Sequence, residues 1–198
     1  MLGFFYKTER KIRVLILRLN IKIRYPKFKI EHSFQLFGKL IISVRKDSVV
    51  NIGKNVIFRS NTKSNLVGIY KPVSISVSEK GILNIGDNSG FSGTSIHVIN
   101  SIIIGKYCNF GGNTAIWDSD FHPLEYQARR IHDVSKIKSV PIVIGDDVFV
   151  GANSIILKGV TIGDRSIIGA GSVVSKDIPA DEIWAGNPAK FIRKIIKN

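Results

Sequence analysis

The chain has 198 residues, of which 29 are Lys or Arg and 15 are Asp or Glu, for a formal net charge of +14, with one Cys and one Met. This length suits one domain with an appendage, and the 44% apolar content excludes wholesale disorder. A single cysteine excludes an intrachain disulfide framework and fits a reducing, cytoplasmic compartment.

The charge is concentrated at the N-terminus. Residues 1–46 carry 12 basic and 2 acidic side chains, a balance of +10, whereas residues 47–198 carry 17 and 13, a balance of +4. Residues 1–47 therefore form a basic N-terminal segment, of the kind that meets phosphate in nucleic acid, anionic lipid or a phosphorylated ligand, or is simply solvated. Within it Ile12, Leu15, Ile16, Leu19 and Ile23 follow helical spacing, preceded by Phe4 and Phe5. Lys7, Arg10, Lys11, Arg13, Arg18 and Lys22 surround that stripe, and Pro26 limits the helix. No stretch reaches the ~18 apolar residues of a spanning helix. The longest apolar run here, Val14 to Leu17, is broken by Arg18 and does not read as a secretory leader. The helix can pack its stripe on the body of the protein, or residues 1–24 can touch an anionic membrane at its inner face. No recognised nucleic-acid motif is present, so nucleic acid is not expected as a partner.

Further along, every sixth residue from Ile144 is β-branched and aliphatic: Ile144, Val150, Ile156, Ile162, Ile168 and Val174. The next residues are Gly145, Gly151, Leu157, Gly163, Gly169 and Ser175, and small residues recur four places on. Neither a helix nor a simple strand has a period of six. A short strand and a turn, repeated, does. Three such units make a triangular coil of 18 residues with the aliphatic side chains inside, and each glycine can take a turn geometry that a Cβ would hinder. Coils stacked at ~4.8 Å pile like on like and build one aliphatic core. The phase recurs at Ile104-Gly105, Phe110-Gly111 and Ile116, at Ile85-Gly86 with Phe91, and faintly at Ile52-Gly53 with Phe58. The expected fold class is thus all-β, a solenoid spanning residues 48–186 whose regular coils run to about residue 180. The 28-residue gap between Ile116 and Ile144 breaks the period, so residues 121–140 leave the coil as a protruding loop, a functional element or a tolerated insertion. After the last coil, Asn187 as N-cap and Pro188 as first helical residue predict a C-terminal capping helix within residues 187–198.

The run from Ile142 through Ile195, with IGAGSVVSKDIP, AGNPAK and an upstream His122-Pro123, resembles the hexapeptide-repeat acyltransferases, and within them the galactoside, maltose and polysaccharide O-acetyltransferases. The resemblance covers residues 85–193 well and 48–84 loosely, and leaves out the basic N-terminus. It implies a left-handed parallel β-helix, a homotrimer with active sites between neighbouring subunits, acetyl-CoA as co-substrate, and a saccharide acceptor. A neutral alcohol is a poor nucleophile, so acetyl transfer to it needs a base, and imidazole titrates in the right range. The resemblance assigns that role to His122. Asp118 and Asp120 are close enough in sequence to orient its ring, contact sugar hydroxyls or solvate the turn. Trp117, Phe121 and Tyr126 can stack on a sugar or brace the loop. Motif by motif, Phe149, Gly151 and Ala152 correspond to the thioester end of the donor site, Ala170 lies further along, and Ser175 and Lys176 lie near the nucleotide. Lys190 and Arg193 match basic residues around the adenosine phosphates. Where galactoside-type enzymes carry a serine, this chain has Ala152, which leaves a backbone N–H as the candidate oxyanion donor. The spacing of His97, His122 and His132 does not resemble the zinc-binding hexapeptide proteins, so no metal is expected. Cys108 occupies a small-residue position and reads as structural.

Overall fold

A computed structural model of the chain describes residues 2–196, with the side chains of Ile12 and of Val14 onward. Phe4, Phe5, Lys7, Arg10, Lys11, Arg13 and Lys197 fall outside those described side chains. Successive strands pass from a first sheet to a second and then a third, so that three strands make one coil. The first sheet stacks Phe28–Ile30, Val49–Ile52, Ile82–Ile85, Ser101–Ile104, Ile142–Ile144 and Thr161–Ile162. The second stacks Gln35–Phe37, Ile57–Arg59, Gly90–Ser92, Asn109–Phe110, Phe149–Val150 and Ile167–Ile168, then Glu182–Ala185 and Lys190–Lys194. The third stacks Ile41–Val44, Ser74–Val77, Ser95–Val98, Ala115–Trp117, Ile155–Ile156 and Val173–Val174. All pairings are parallel except the last of the second sheet. This is the left-handed parallel β-helix that the resemblance implies, built on the solenoid that the hexapeptide period predicts.

Register makes the core. One column in the first sheet reads Ile30, Ile52, Ile85, Ile104, Ile144, Ile162. Its counterpart in the third reads Ile42, Ile75, Ile96, Ile116, Ile156, Val174. In the second, Phe58, Phe91 and Phe110 stack with ring centroids 5.6 and 4.8 Å apart. Burying such side chains contributes ~1.5–3 kcal/mol each.

The repeat glycines are explained by crowding rather than by turn dihedrals. A Cβ on Gly86 would lie 2.6 Å from the Gly105 backbone, and one on Gly151 2.4 Å from the Ala170 nitrogen. Stacked coils approach too closely there for any side chain. The left-handed position of each such corner falls two residues later, on Asn55, Asn88, Tyr107, Asn113, Asp147, Asn153 and Arg165, and Asn and Asp tolerate it best.

Three boundaries differ from the sequence reading. The coil begins at Phe28, inside the segment assigned to the basic N-terminus, because Phe28, Leu36 and Val44 already point inward. The helix Leu2–Arg24 lies across this first coil, with Ile21 buried and Val14 and Leu17 packed beside it. A second excursion, residues 60–73, follows Ile57–Arg59 and contains a short 3-10 turn at Thr62–Ser64. The third difference is the C-terminus, where the capping helix predicted within 187–198 is replaced by the strand Lys190–Lys194, antiparallel to Glu182–Ala185. Gly186, at φ +106°, reverses the chain there. A helix this short is marginal in water, whereas the returning strand satisfies backbone groups at the edge of the last coil.

Candidate active site

The loop at 121–140 hangs from a neck at the corner between the third and first sheets. Val140 N–H donates to the Asp118 carbonyl at 2.9 Å and Asp120 N–H to the Lys138 carbonyl at 3.1 Å. Immediately beyond this neck His122 N–H donates to the Asp120 carbonyl at 2.7 Å, closing a three-residue turn around Phe121, which sits at φ +61°. A non-glycine residue in such a turn is strained. The Phe121 ring is held against His97, centroids 4.8 Å apart, and edge-on to Trp117 at 5.4 Å. The result is that His122 is exposed, and no side-chain partner for its ring lies among the described residues.

Asp118 does not face His122. It is buried, and its two carboxylate oxygens accept from the Ile99 and Asn100 amides at 2.8 and 2.7 Å. Burial pushes its carboxyl above the usual range, with those amide bonds and His97 acting against the shift. Asp177 does the same for the Thr161 amide two coils later, so Asp118 is a staple between coils. Asp120 pairs with Lys158, and its other oxygen is buried without a protein partner. Trp117 lies on the strand Ala115–Trp117, directly above His97. Tyr126, on the short helix Tyr126–Arg130, is exposed beneath the Arg130 guanidinium, 5.1 Å from its ring centroid.

The candidate donor residues fall in two groups. Phe149, Gly151, Ala152 and Ala170 line the corner between the second and third sheets, and Lys190 and Arg193 lie on the exposed strand that extends the second sheet. Ser175 and Lys176 lie at the other edge of the third sheet, on the same corner as Lys158 and the loop neck. The corner between the first and second sheets and the corner between the second and third differ in how they treat the backbone. Between the first and second sheets, Asp87, Asp146 and Asp164 accept from the amides of Lys54, Lys106 and Asp146 in the coil before. At the Gly151-Ala152 and Gly169-Ala170 corners no carboxylate stands in that place, and the amides of Ala152 and Ala170 have no acceptor among the described residues. These N–H groups are the backbone donors available to an extended amide ligand or an oxyanion.

Cys108 is buried, donates to the Gly145 carbonyl at 3.1 Å, and has its thiol pushed up to about 11, chiefly by burial. It is structural. Among the described residues no three His, Cys, Asp or Glu side chains converge as a metal site would require.

Sequence reasoning missed His97 and Lys158. The corner after Phe91 is one residue shorter than the repeat, so that Ile96 rather than His97 is the inward partner of Ile75 and Ile116. Counting by six from Phe91 therefore puts His97 on the wrong face. Lys158 carries no motif, and only the ion pair with Asp120 marks it.

Residues 141–176 match the family described as the hexapeptide repeat of succinyl-transferase. A tetrahydropyridine-dicarboxylate N-acetyltransferase of Staphylococcus saprophyticus is 57% identical over 54 residues, 27% of this chain and 23% of that protein. The chain spans less than half the length of the curated relatives it matches. Among solved structures, a hexapeptide-repeat acetyltransferase of Vibrio cholerae complexed with acetyl coenzyme A is 35% identical, with TM-score 0.53, over 58% of this chain and 61% of that one. A maltose O-acetyltransferase of Clostridium difficile is 27% identical, with TM-score 0.52, over 98% and 89% of the two chains. The six-residue repeat, the three-sheet coil and these neighbours together make the chain a left-handed hexapeptide-repeat β-helix protein, similar to the acetyltransferases built on that fold.

Proposed function

We propose that the protein is an acetyl-CoA-dependent O-acetyltransferase acting on a sugar hydroxyl, in the assembly of a bacterial surface polysaccharide, with His122 as general base. The observation that carries this reading is the His122 ring, turned outward by a strained turn and left without a protein partner at the mouth of the loop. A catalytic base must keep a ring nitrogen for the substrate, and an outward-facing imidazole without a protein partner meets that requirement. In the reaction His122 takes the hydroxyl proton as the oxygen attacks the thioester carbonyl. The tetrahedral oxyanion is held by a backbone N–H of the Ala152 corner. The C–S bond then breaks, and the imidazolium returns the proton to the CoA thiolate.

The donor is held along the Phe149, Gly151, Ala152 and Ala170 corner, with Lys190 and Arg193 toward its nucleotide and with Ser175 and Lys176, which lie on the opposite edge, reaching it from the neighbouring subunit. Within one chain the Ala152 corner and the His122 neck lie at opposite edges of the third sheet. A site that uses both joins one edge of a subunit to the other edge of its neighbour, which supports a homotrimer. Trp117 and Phe121 then wall the acceptor side, with Phe121 also buttressing the turn. N-acetylation of an amino sugar is the second reading, favoured by the similarity to an N-acetyltransferase.

The test is His122→Ala assayed with acetyl-CoA and a panel of sugars by mass spectrometry. Turnover is expected to fall by about 10²–10⁴-fold, with CoA binding and melting temperature kept. Near-normal turnover in the folded variant ends the mechanism. Acetyl transfer confined to amino groups selects the second reading, and no turnover with any acceptor in the wild-type protein points to a binding solenoid.

A further inference from the structure

The helix Leu2–Arg24 has two apolar faces. At 100° per residue, Val14, Leu17 and Ile21 fall on one side, and this side is packed on the first coil, with Ile21 only 3% exposed. Ile12, Leu15, Ile16, Leu19 and Ile23 fall on the opposite side, within an arc of about 100°. They are 53, 59, 53, 52 and 79% exposed. A helix seated on its own domain ordinarily turns charge outward. This one turns out aliphatic side chains instead, and places the charge on the flanks. Arg18, bonded to His32 at 2.9 Å, and Lys22 border one edge of the outer stripe, and Asn20 and Arg24 the other. The helix holds seven Lys or Arg and one Glu, and Lys27, Lys29 and Lys39 are exposed on the coil beneath.

We infer that this outer face is a docking surface for anionic lipid. The helix lies in the plane of the bilayer, its five aliphatics entering the headgroup boundary to ~5–10 Å, its flanking cations on lipid phosphates. Charge complementarity selects the occupant. Pairing with the same face of a second copy would bring two strongly cationic helices together, whereas an anionic bilayer supplies both the apolar layer and the neutralising charge. No helix among the described residues is long and apolar enough to cross a membrane, so the attachment is to one surface. Because the packed and exposed faces are opposite, the coil stack stands on the side of the helix away from the lipid. The inference stands independently of the catalytic reading.

Co-sedimentation with vesicles of phosphatidylcholine mixed with phosphatidylglycerol, using the full chain, tests it without any assay of activity. Binding is expected at low salt, at least about tenfold weaker on phosphatidylcholine alone, and weakened by salt. The double variant Ile16→Glu with Leu19→Glu is expected to lose at least about tenfold of that binding, with melting temperature unchanged, since both positions are half-exposed. Lys22→Glu with Arg24→Glu is expected to weaken binding to the anionic vesicles and flatten its salt dependence. Equal binding to both vesicle types, no binding to either, or wild-type binding by the Ile16→Glu, Leu19→Glu variant overturns the inference. Self-association that this variant abolishes, without vesicle binding by the wild type, overturns it in favour of a contact between copies.

Discussion

Two histidines on neighbouring coils have been given opposite environments. His122 follows a turn that projects it into solvent, while His97 lies beneath Phe121, with burial holding its imidazole below the ordinary 6.5 and Asp118 pulling the other way. The native state therefore favours the neutral form of His97 more than the unfolded chain does, and unfolding is accompanied by proton uptake there. Its contribution to stability is present above pH 6.5 and is lost as pH falls from there toward the lowered native value. Urea midpoints measured from neutral pH down to about pH 5 should fall in the wild type, and His97→Gln should remove part of that slope. Asp118, raised above its ordinary 3.8, acts in the opposite sense and interacts with His97, so the difference between wild type and variant reports the His97–Asp118 pair.

Corners decide more than strands do at the level of elements. The strands are as short as two residues, and their registry is kept by what happens between them. At the first-to-second corner, glycine admits the neighbouring coil and an aspartate bonds the amide of the coil before. Gly105 shows the cost of losing this, because a Cβ there would stand 2.6 Å from both carbonyl atoms of Gly145. Gly105→Ala should lower unfolding free energy by about 1–3 kcal/mol, read as a drop in urea midpoint with little change in slope. At the corner that carries Ala152 and Ala170 the same coil approach is kept and the aspartate is omitted, which leaves amides open for a ligand.

For the whole molecule, the separation of the two edges of the third sheet carries the main consequence. On the proposed reading, a neck bearing His122 on one edge and open amides on the other would have to come from neighbouring subunits to serve one reaction. Light scattering should therefore report a trimer. A stable monomer with full acetyl transfer would contradict the shared site. If the proposed lipid docking holds, the helix across the first coil would orient such an assembly. Three coil spacings, ~14 Å, separate that coil from the one leading into the His122 loop, so an acceptor sugar carried on a lipid would extend away from the bilayer toward the site.

A six-residue period of β-branched residues has few physical solutions, and the coil, its aliphatic columns and the expelled loop could be read from residue order alone. His122 could be singled out as a candidate because its motif and its place at the end of the regular phase coincide. Other features needed the third dimension. A one-residue slip after Phe91 moved His97 beside the site, an effect no fixed period registers. Asp118 and Asp120 are two residues apart and look equivalent in sequence, yet one bonds the amides of the coil below and the other meets Lys158 on the coil above. The C-terminal Asn-Pro signal for a helix lost to the unpaired edge of Glu182–Ala185, which offered the chain more hydrogen bonds as a strand. The apolar residues counted as one stripe in the first helix proved to be the exposed face, while Val14, Leu17 and Ile21 did the packing. Periodicity reveals that a face exists, but which of two faces is covered depends on what the fold brings against it.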